Sequence, residues 1–191
     1  MSEVQTNKIS PATGTTFTLG DSGDTFNIPS GATIANAGTA TGFGESNTPA
    51  FAVQGTDEQS SVASATYTKV TGWSIETVDT DNAFASDKFT VPSGGAGKYY
   101  IFRALHNKGT NFSSVIKTDL KIYKNGSSVA FAAQDFRNNY TNQTGSTIST
   151  ILDLSVSDYI EVYTAVDIDS GTPYYEGNNY RGIFGGFKIT T

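Results

Sequence analysis

The chain has 191 residues, which is enough for one ordinary domain with a small appendage. Its formal net charge of −6 and its lack of a basic cluster argue against a nucleic-acid partner. It contains no cysteine, which excludes disulfide frameworks and thiolate metal sites. Aromatic residues are plentiful, with 12 Phe and 10 Tyr. Because no window shows an apolar period of about 3.6 residues, the composition predicts an all-β fold.

The first segment, residues 1–14, is polar and ends at Pro11 and Gly14. It has no hydrophobic stretch typical of a secretory signal, and no run of the chain reaches membrane-spanning length. We therefore expect no membrane insertion and, for a protein acting outside cells, release by another route such as lysis. The segment is either a disordered tail or an anchoring peptide that becomes ordered on a partner.

Residues 15–45 contain short apolar pieces separated by Gly, Asp and Ser turns. Each piece is too short to bury its own apolar face, so repetition and stacking are implied. Three copies wound around one axis would cover one another, which predicts a short interwoven trimeric β shaft. The alternative is a flexible linker, but linkers rarely space Phe and Ile so regularly. The pieces are Phe17 with Leu19, Phe26 with Ile28, and Thr33 with Ile34.

Residues 46–191 are predicted to form a β-sandwich. Runs rich in aromatic and β-branched residues alternate with turn signals, a pattern that suits a jelly roll. The ten predicted strands are Ala50–Gln54, Thr66–Val70, Ser74–Val78, Lys88–Val91, Tyr99–Leu105, Ser114–Lys124, Ser128–Gln134, Thr147–Leu154, Tyr159–Val166 and Phe184–Thr190.

The strand predicted at Tyr99–Leu105 is apolar at nearly every position except Arg103. A continuous apolar run is typical of a strand that is buried on both faces. Alternation places Tyr100 and Phe102 together on the face opposite to their neighbours. A second subunit is the simplest cover for that additional face.

Four motifs in this part of the chain resemble the C1q/TNF-like jelly-roll family, and they occur in the family's order. The resemblance covers about residues 50–189 and implies a trimer with Tyr100 and Phe102 along the threefold axis. The motifs are Phe89–Pro92 followed by glycines and Tyr99–Phe102, then Lys124-Asn125-Gly126, then Leu152–Ile160 with Ser157 at the usual Gly, and Phe184–Ile189.

Residues 9–44 resemble a stretch that recurs in structural proteins of marine bacteriophages, ahead of C-terminal fibre modules. This resemblance implies a virion protein with an anchoring peptide over residues 1–14, a β shaft over 15–45 and a C1q/TNF-like knob over 46–191. The implied function is that of a trimeric tail fibre or spike whose knob binds a host-surface receptor, a glycan being one candidate. The alternatives are a head fibre or capsid decoration protein, or a cell-encoded C1q-like adhesin.

The long segment after residue 166 has the composition of a recognition loop. Tyrosine provides contact area at low entropic cost, and Asn and Ser provide adaptable hydrogen bonds. The alternative is that these tyrosines pack back on the sandwich or on a neighbouring subunit. The candidate receptor-binding residues are Tyr174, Tyr175, Asn178, Asn179 and Tyr180.

Catalytic patterns are largely absent, and we expect neither an enzyme nor a required cofactor. The single histidine, His106, lies in a polar stretch that we interpret as a surface loop. Acid pairs such as Asp79 with Asp81 could serve a glycosidase, although solvated acids are the ordinary explanation. Asp167 and Asp169 place hard oxygen ligands close together, so calcium is a candidate there. Some C1q-like trimers resemble this in carrying calcium near their apex.

Overall fold

The computed structural model describes residues 9–35, 47–55, 58–59, 62–112, 114–176 and 181–190. The chain divides into two compact units, Met1–Phe43 and Gly44–Thr191. Within the described residues, no helix has the length and apolar character that crossing a membrane requires.

In the first unit, the described residues 9–35 form turns and bends without a strand. One turn is closed by the backbone N–H of Asp24, which donates to the Asp21 carbonyl at 3.1 Å. The apolar side chains of this segment remain exposed, from 37% at Ile28 to 66% at Phe26. These side chains are left uncovered within one chain. The trimeric shaft that would cover them stays a prediction. Residues 36–45 of the predicted shaft and 1–8 of the predicted anchor lie outside the described residues.

We expect the segment of residues 15–43 to be protected only in a trimer. Its apolar side chains have too little of their own chain to bury them, so an isolated peptide should show no sheet signal by circular dichroism. In the intact protein, the same amides should exchange slowly with deuterium, as measured by mass spectrometry. Fast exchange throughout the segment in an oligomeric sample would instead identify it as a linker.

The described residues of the second unit form strands that are joined by loops, and the strands are numbered in chain order. Their bounds are β1 (Ala50–Gly55), β2 (Glu58–Gln59), β3 (Thr68–Lys69), β4 (Trp73–Asp79), β5 (Phe84–Ala85), β6 (Lys88–Thr90), β7 (Gly97–Gly109), β8 (Val115–Lys124), β9 (Ser127–Asp135), β10 (Gln143–Leu154), β11 (Tyr159–Ile168), β12 (Pro173–Glu176) and β13 (Ile183–Thr190).

The strands form two antiparallel sheets. In the first sheet, β7 pairs with β10 on one side and with β13 and β12 on the other, and β1 and β4 follow β13. β2 extends the sheet beyond β12. In the second sheet the order is β5-β6-β11-β8-β9, and β3 also pairs with β11. The fold class is therefore all-β, as the composition predicts.

The core lies between the two sheets and is dominated by aromatic rings. Phe51 of β1 stacks on Phe89 of β6, with ring centroids 4.4 Å apart, and meets the edge of Phe184 at 4.9 Å. All three side chains are at most 2% exposed. Because these rings join strands of different sheets, they hold the two layers together.

Two turns have the backbone conformation that their sequences predict. The hairpin between β8 and β9 has positive φ at both Asn125 and Gly126, 51° and 79°, which is the type I′ pattern favoured by Asn-Gly. Ser157 has a φ of 71° in the turn between β10 and β11, a conformation that favours glycine. The motif with the unusual serine therefore keeps the backbone that glycine would adopt.

The sequence pattern finds most of the sandwich but misses three strands. β2, β5 and β12 are two to four residues long, too short to show an alternating pattern. The interpretation of His106 as a loop residue is wrong, because β7 continues through it to Gly109. Polar residues in that part of β7 obscured a strand that is buried on its inner face.

Candidate functional site on the first sheet

β7 presents two different faces because successive side chains alternate across the sheet. Tyr99 and Ile101 point into the core and are fully buried. Tyr100 and Phe102 point outward and remain half-buried, with their rings 5.9 Å apart. The predicted division of this strand into two apolar faces is therefore present in the structure.

The outward side chains of neighbouring strands extend this surface into what we call the apolar face, formed by Tyr100, Phe102, Ile151, Ile183 and Phe187. Tyr100 lies opposite Ile151 of β10 and opposite Phe187 of β13. Ile151 is 62% exposed and Phe187 is 36% exposed. Large apolar side chains that adjoin one another across three strands are typical of a surface that binds another protein.

Glycine shapes the centre of the apolar face. Gly185 lies opposite Phe102, and a Cβ atom added there would lie 2.5 Å from the Phe102 ring. The far end of the Phe102 ring therefore occupies the space that a side chain at position 185 would need. A depression of about 320 Å³ lies beside Phe102, Ser149 and Ile183 on this face.

Further along β7, the same outward face becomes charged. Glu176 of β12 is 3% exposed and is surrounded by the side chains of Lys108, Arg181 and His106. His106 Nδ1 lies 3.2 Å and Lys108 Nζ 3.3 Å from its carboxylate oxygens, and Arg181 also pairs with it. Burial opposes ionisation of Glu176, but hydrogen bonds from Arg181 and Lys108 outweigh it and lower its pKa. The carboxylate is thus held ionised inside a cationic cluster.

Replacing Glu176 by Gln should lower the free energy of unfolding by about 1–3 kcal/mol at pH 7, because Lys108 and Arg181 lose a charged acceptor. Because the folded pKa lies below the unfolded one, this contribution is present above the unfolded pKa. It is lost as pH falls through the folded pKa. Urea unfolding at pH 7 and at low pH measures this difference. Glu58→Gln, an exposed carboxylate on the adjacent β2, is the control and should have little effect. Equal effects of the two substitutions would contradict a specific role for Glu176.

The structure describes only two of the predicted receptor-binding residues, and it places both in β12. Tyr175 is 1% exposed and packs in the core, while Tyr174 is 9% exposed, with Lys108 Nζ 5.2 Å from its ring centre. Both side chains are buried within one chain, and their role in receptor binding stays a prediction. Asn178, Asn179 and Tyr180 lie outside the described residues, and their role stays a prediction.

The acidic pairs have structural partners. Both carboxylate oxygens of Asp79 accept backbone N–H groups, from Ala83 at 2.9 Å and from Phe84 at 3.0 Å. Asp167 accepts a hydrogen bond from Ser64 at 3.3 Å, and the Asp169 N–H donates to the Ser114 carbonyl. Among the described residues, no three acidic or histidine side chains come together as metal ligands. Within the described chain, no third acidic or histidine side chain joins Asp167 and Asp169 as a ligand for calcium.

Sequence reasoning missed the environment of Arg103. Its side chain points into the core, is 1% exposed, and donates from one NH group to the Tyr163 carbonyl at 3.0 Å. Among the described residues, Nε and the other NH₂ group have no hydrogen-bond partner. Burial lowers the pKa of Arg103 to about 9. A single polar residue in an apolar strand was the only signal of this buried cation.

Comparison with solved structures identifies the fold. No protein-family model and no curated protein matches the sequence. The globular domain of zebrafish complement 1qA aligns with a TM-score of 0.50 at 17% identity, covering 74% of this chain and 98% of that domain. Murine APRIL at pH 5.0 and at pH 8.0 aligns with a TM-score of 0.53 at 10% and 12% identity, covering 73% of this chain and 98% of APRIL. The chain therefore contains a jelly-roll domain with the fold of C1q and TNF-like proteins.

Proposed function

We propose that the protein is a homotrimeric attachment protein whose jelly-roll knob binds a host-surface molecule. The observation that carries the proposal is the apolar face, which one chain leaves uncovered. Ile151 and Phe187 are more than one-third exposed there, next to Tyr100 and Phe102. Burial of such side chains contributes about 25 cal/mol per Å² of apolar area removed from water, which favours association of identical subunits.

The position of the apolar face supports a closed trimer. It lies on the face of the first sheet that turns away from the core, so three copies can meet through it without disturbing either sheet. The depression beside Phe102 and Ile183 offers space for a protruding side chain of a neighbour. Closed symmetry would bury this apolar surface in every subunit and leave none of it free for further growth.

A virion location is the second part of the proposal. It is supported by the likeness of residues 9–44 to segments that precede fibre modules in marine bacteriophage structural proteins. Residues 1–14 would anchor the protein, residues 15–45 would form the shaft, and the knob would face the host. Three knobs on one axis allow weak contacts to add, since tethered sites can exceed single-site affinity by about 10²–10⁴.

A head fibre or capsid decoration protein shares these features and differs in its place on the particle. A cell-encoded adhesin shares the knob but would not be mounted on a particle. We favour a tail fibre or spike because attachment to a host uses the exposed end of such a protein. No catalytic role is proposed.

Sedimentation analysis of the purified full chain tests the assembly, with an expected mass of three chains. Electron microscopy of the purified protein and of phage particles labelled with antibody against the knob tests the location. A stable single chain at micromolar concentration would overturn the trimer. Labelling of the head instead of the tail would favour the capsid alternative.

A further inference from the structure

The outward face of the second sheet carries aromatic rings and lysines side by side. Tyr123 of β8 and Tyr163 of β11 lie with their ring centroids 4.2 Å apart. Phe131 of β9 lies opposite Lys121, and Lys121 lies opposite Tyr163. Tyr67, just before β3, completes a set that we call the aromatic strip, formed by Tyr67, Lys121, Tyr123, Phe131 and Tyr163.

The rings of the aromatic strip are open to solvent. They lie on the opposite side of the sandwich from the apolar face. Phe131 is 55% exposed and Tyr67 is 36% exposed, while Tyr123 and Tyr163 are half-buried. Neighbouring strands lie about 4.8 Å apart, so the row from Phe131 through Lys121 to Tyr163 spans about 10 Å. In the trimer proposed above, this face would remain accessible.

Lys121 differs from the neighbouring lysines on this face. Lys69 pairs with Glu161 at 2.7 Å, and Lys117 pairs with Asp119 at 2.9 Å. The Lys121 ammonium instead lies 3.6 Å from the Tyr67 ring centre and 5.8 Å from that of Phe131. It makes no ion pair with a carboxylate of the described residues. A cation with only ring partners can still accept an anionic group from a ligand.

Lys88 of β6, a second lysine on the same outward face, also lies against an aromatic ring. Its ammonium lies 4.8 Å from the Tyr159 ring centre, and it too has no carboxylate partner within the described chain. Two lysines supported by rings therefore flank the Tyr123–Tyr163 pair. The face offers flat apolar platforms with a positive charge at each end.

We propose that the aromatic strip binds an acidic oligosaccharide, a proposal that rests on the attachment function above and names its ligand class. The apolar C–H face of a sugar ring stacks on an aromatic ring. A carboxylate or sulfate on the sugar then pairs with Lys121, and a second one along the chain reaches Lys88. An open sheet face suits an extended oligosaccharide chain.

Charge distinguishes this ligand from single-stranded nucleic acid, which also stacks on aromatic rings. A nucleic acid carries a phosphate at every residue, whereas this face also holds Glu161, Asp119 and Asp135, and the whole chain has a formal charge of −6. A sugar chain with few acidic groups can pair them with the two separate lysines. A polymer that is charged at every residue would also bring its charges close to these carboxylates.

The test is titration of the purified full chain with a tetrasaccharide that carries a carboxylate on its first and last sugars only, the same tetrasaccharide with sulfates in those two places, and a sialylated trisaccharide, each beside its neutral counterpart. We expect at least one acidic sugar to bind, and to bind more weakly at high salt because both lysines are partly open to solvent. Phe131→Ala and Lys121→Gln should each weaken this binding by about tenfold. Phe112→Ala, a Phe that is 88% exposed elsewhere, and Lys98→Gln, which lies outside the strip, are the controls and should bind normally.

Four results would overturn the proposal: no binding of any acidic sugar, equal binding of the neutral counterparts, tighter binding of a single-stranded oligonucleotide, or unchanged binding by Lys121→Gln. The mass of the protein is measured in the same samples. A trimer that binds no acidic sugar contradicts the aromatic strip alone, whereas a monomer that binds one contradicts only the trimer.

Discussion

Substituting Phe102 by Asp is expected to convert the proposed trimer into monomers or aggregates. Phe102 lies at the centre of the apolar face, above Gly185 and next to Tyr100. Truncation of a buried aromatic side chain typically costs about 3–5 kcal/mol, and in a trimer this loss occurs once in each subunit. A carboxylate in the same place would in addition bring three negative charges together near one axis. Sedimentation velocity of the variant measures the outcome.

Phe131→Asp provides the matched control for this substitution. Phe131 is also an exposed Phe in a strand, but it lies on the outward face of the second sheet. The control should remain trimeric, since the proposed subunit contacts do not use that face. If both variants stay trimeric, the subunits associate through another surface. If both dissociate, the change in charge alone is responsible.

Replacing Arg103 by Met should leave the protein folded and raise its free energy of unfolding by as much as about 1–4 kcal/mol. An apolar residue of similar length that replaces a buried charge is often neutral or stabilising, because the desolvation of the charge is avoided. For a chain of this size, each kcal/mol corresponds to a change in Tm of about 2–4 °C. Thermal unfolding monitored by circular dichroism measures the shift.

The pH dependence of this difference follows from the lowered pKa of Arg103. At neutral pH the guanidinium is charged in both states, so its buried charge destabilises the fold by a constant amount. Above the folded pKa of about 9, the folded state releases the proton while the unfolded chain keeps it. Wild-type stability should therefore rise relative to Arg103→Met as pH increases from about 9. Arg137→Met, at an exposed arginine paired with Asp135, is the control and should show no such trend.

A lower Tm for Arg103→Met would contradict this account. It would mean that the hydrogen bond from Arg103 to the Tyr163 carbonyl contributes more than the buried charge costs. Arg103→Lys separates the two effects, because lysine keeps the charge but lacks the planar group that makes this bond. A stable lysine variant would then show that the charge itself is tolerated.

Local patterns in the sequence determined most of the sandwich. Alternation within residues 99–105 predicted which side chains of β7 face the core, and burial of Tyr99 and Ile101 agrees with it. The Asn125-Gly126 pair predicted the hairpin between β8 and β9, since only a few residue types adopt positive φ at two successive positions. These features depend on side chains within a few residues of one another, so the sequence carries them directly.

Only the tertiary structure decided the environment of residues whose partners are distant in the chain. His106 and Glu176 are 70 residues apart, yet pairing of β7 with β12 places them 3.2 Å apart. The same pairing buries Tyr175, for which composition left open a recognition loop or packing against the sandwich. Alternation alone directs Arg103 inward, but the packing of the two sheets decided that its partner is the Tyr163 carbonyl. Burial and charge pairing arise from contacts between strands, and no local pattern specifies which strand will be the neighbour.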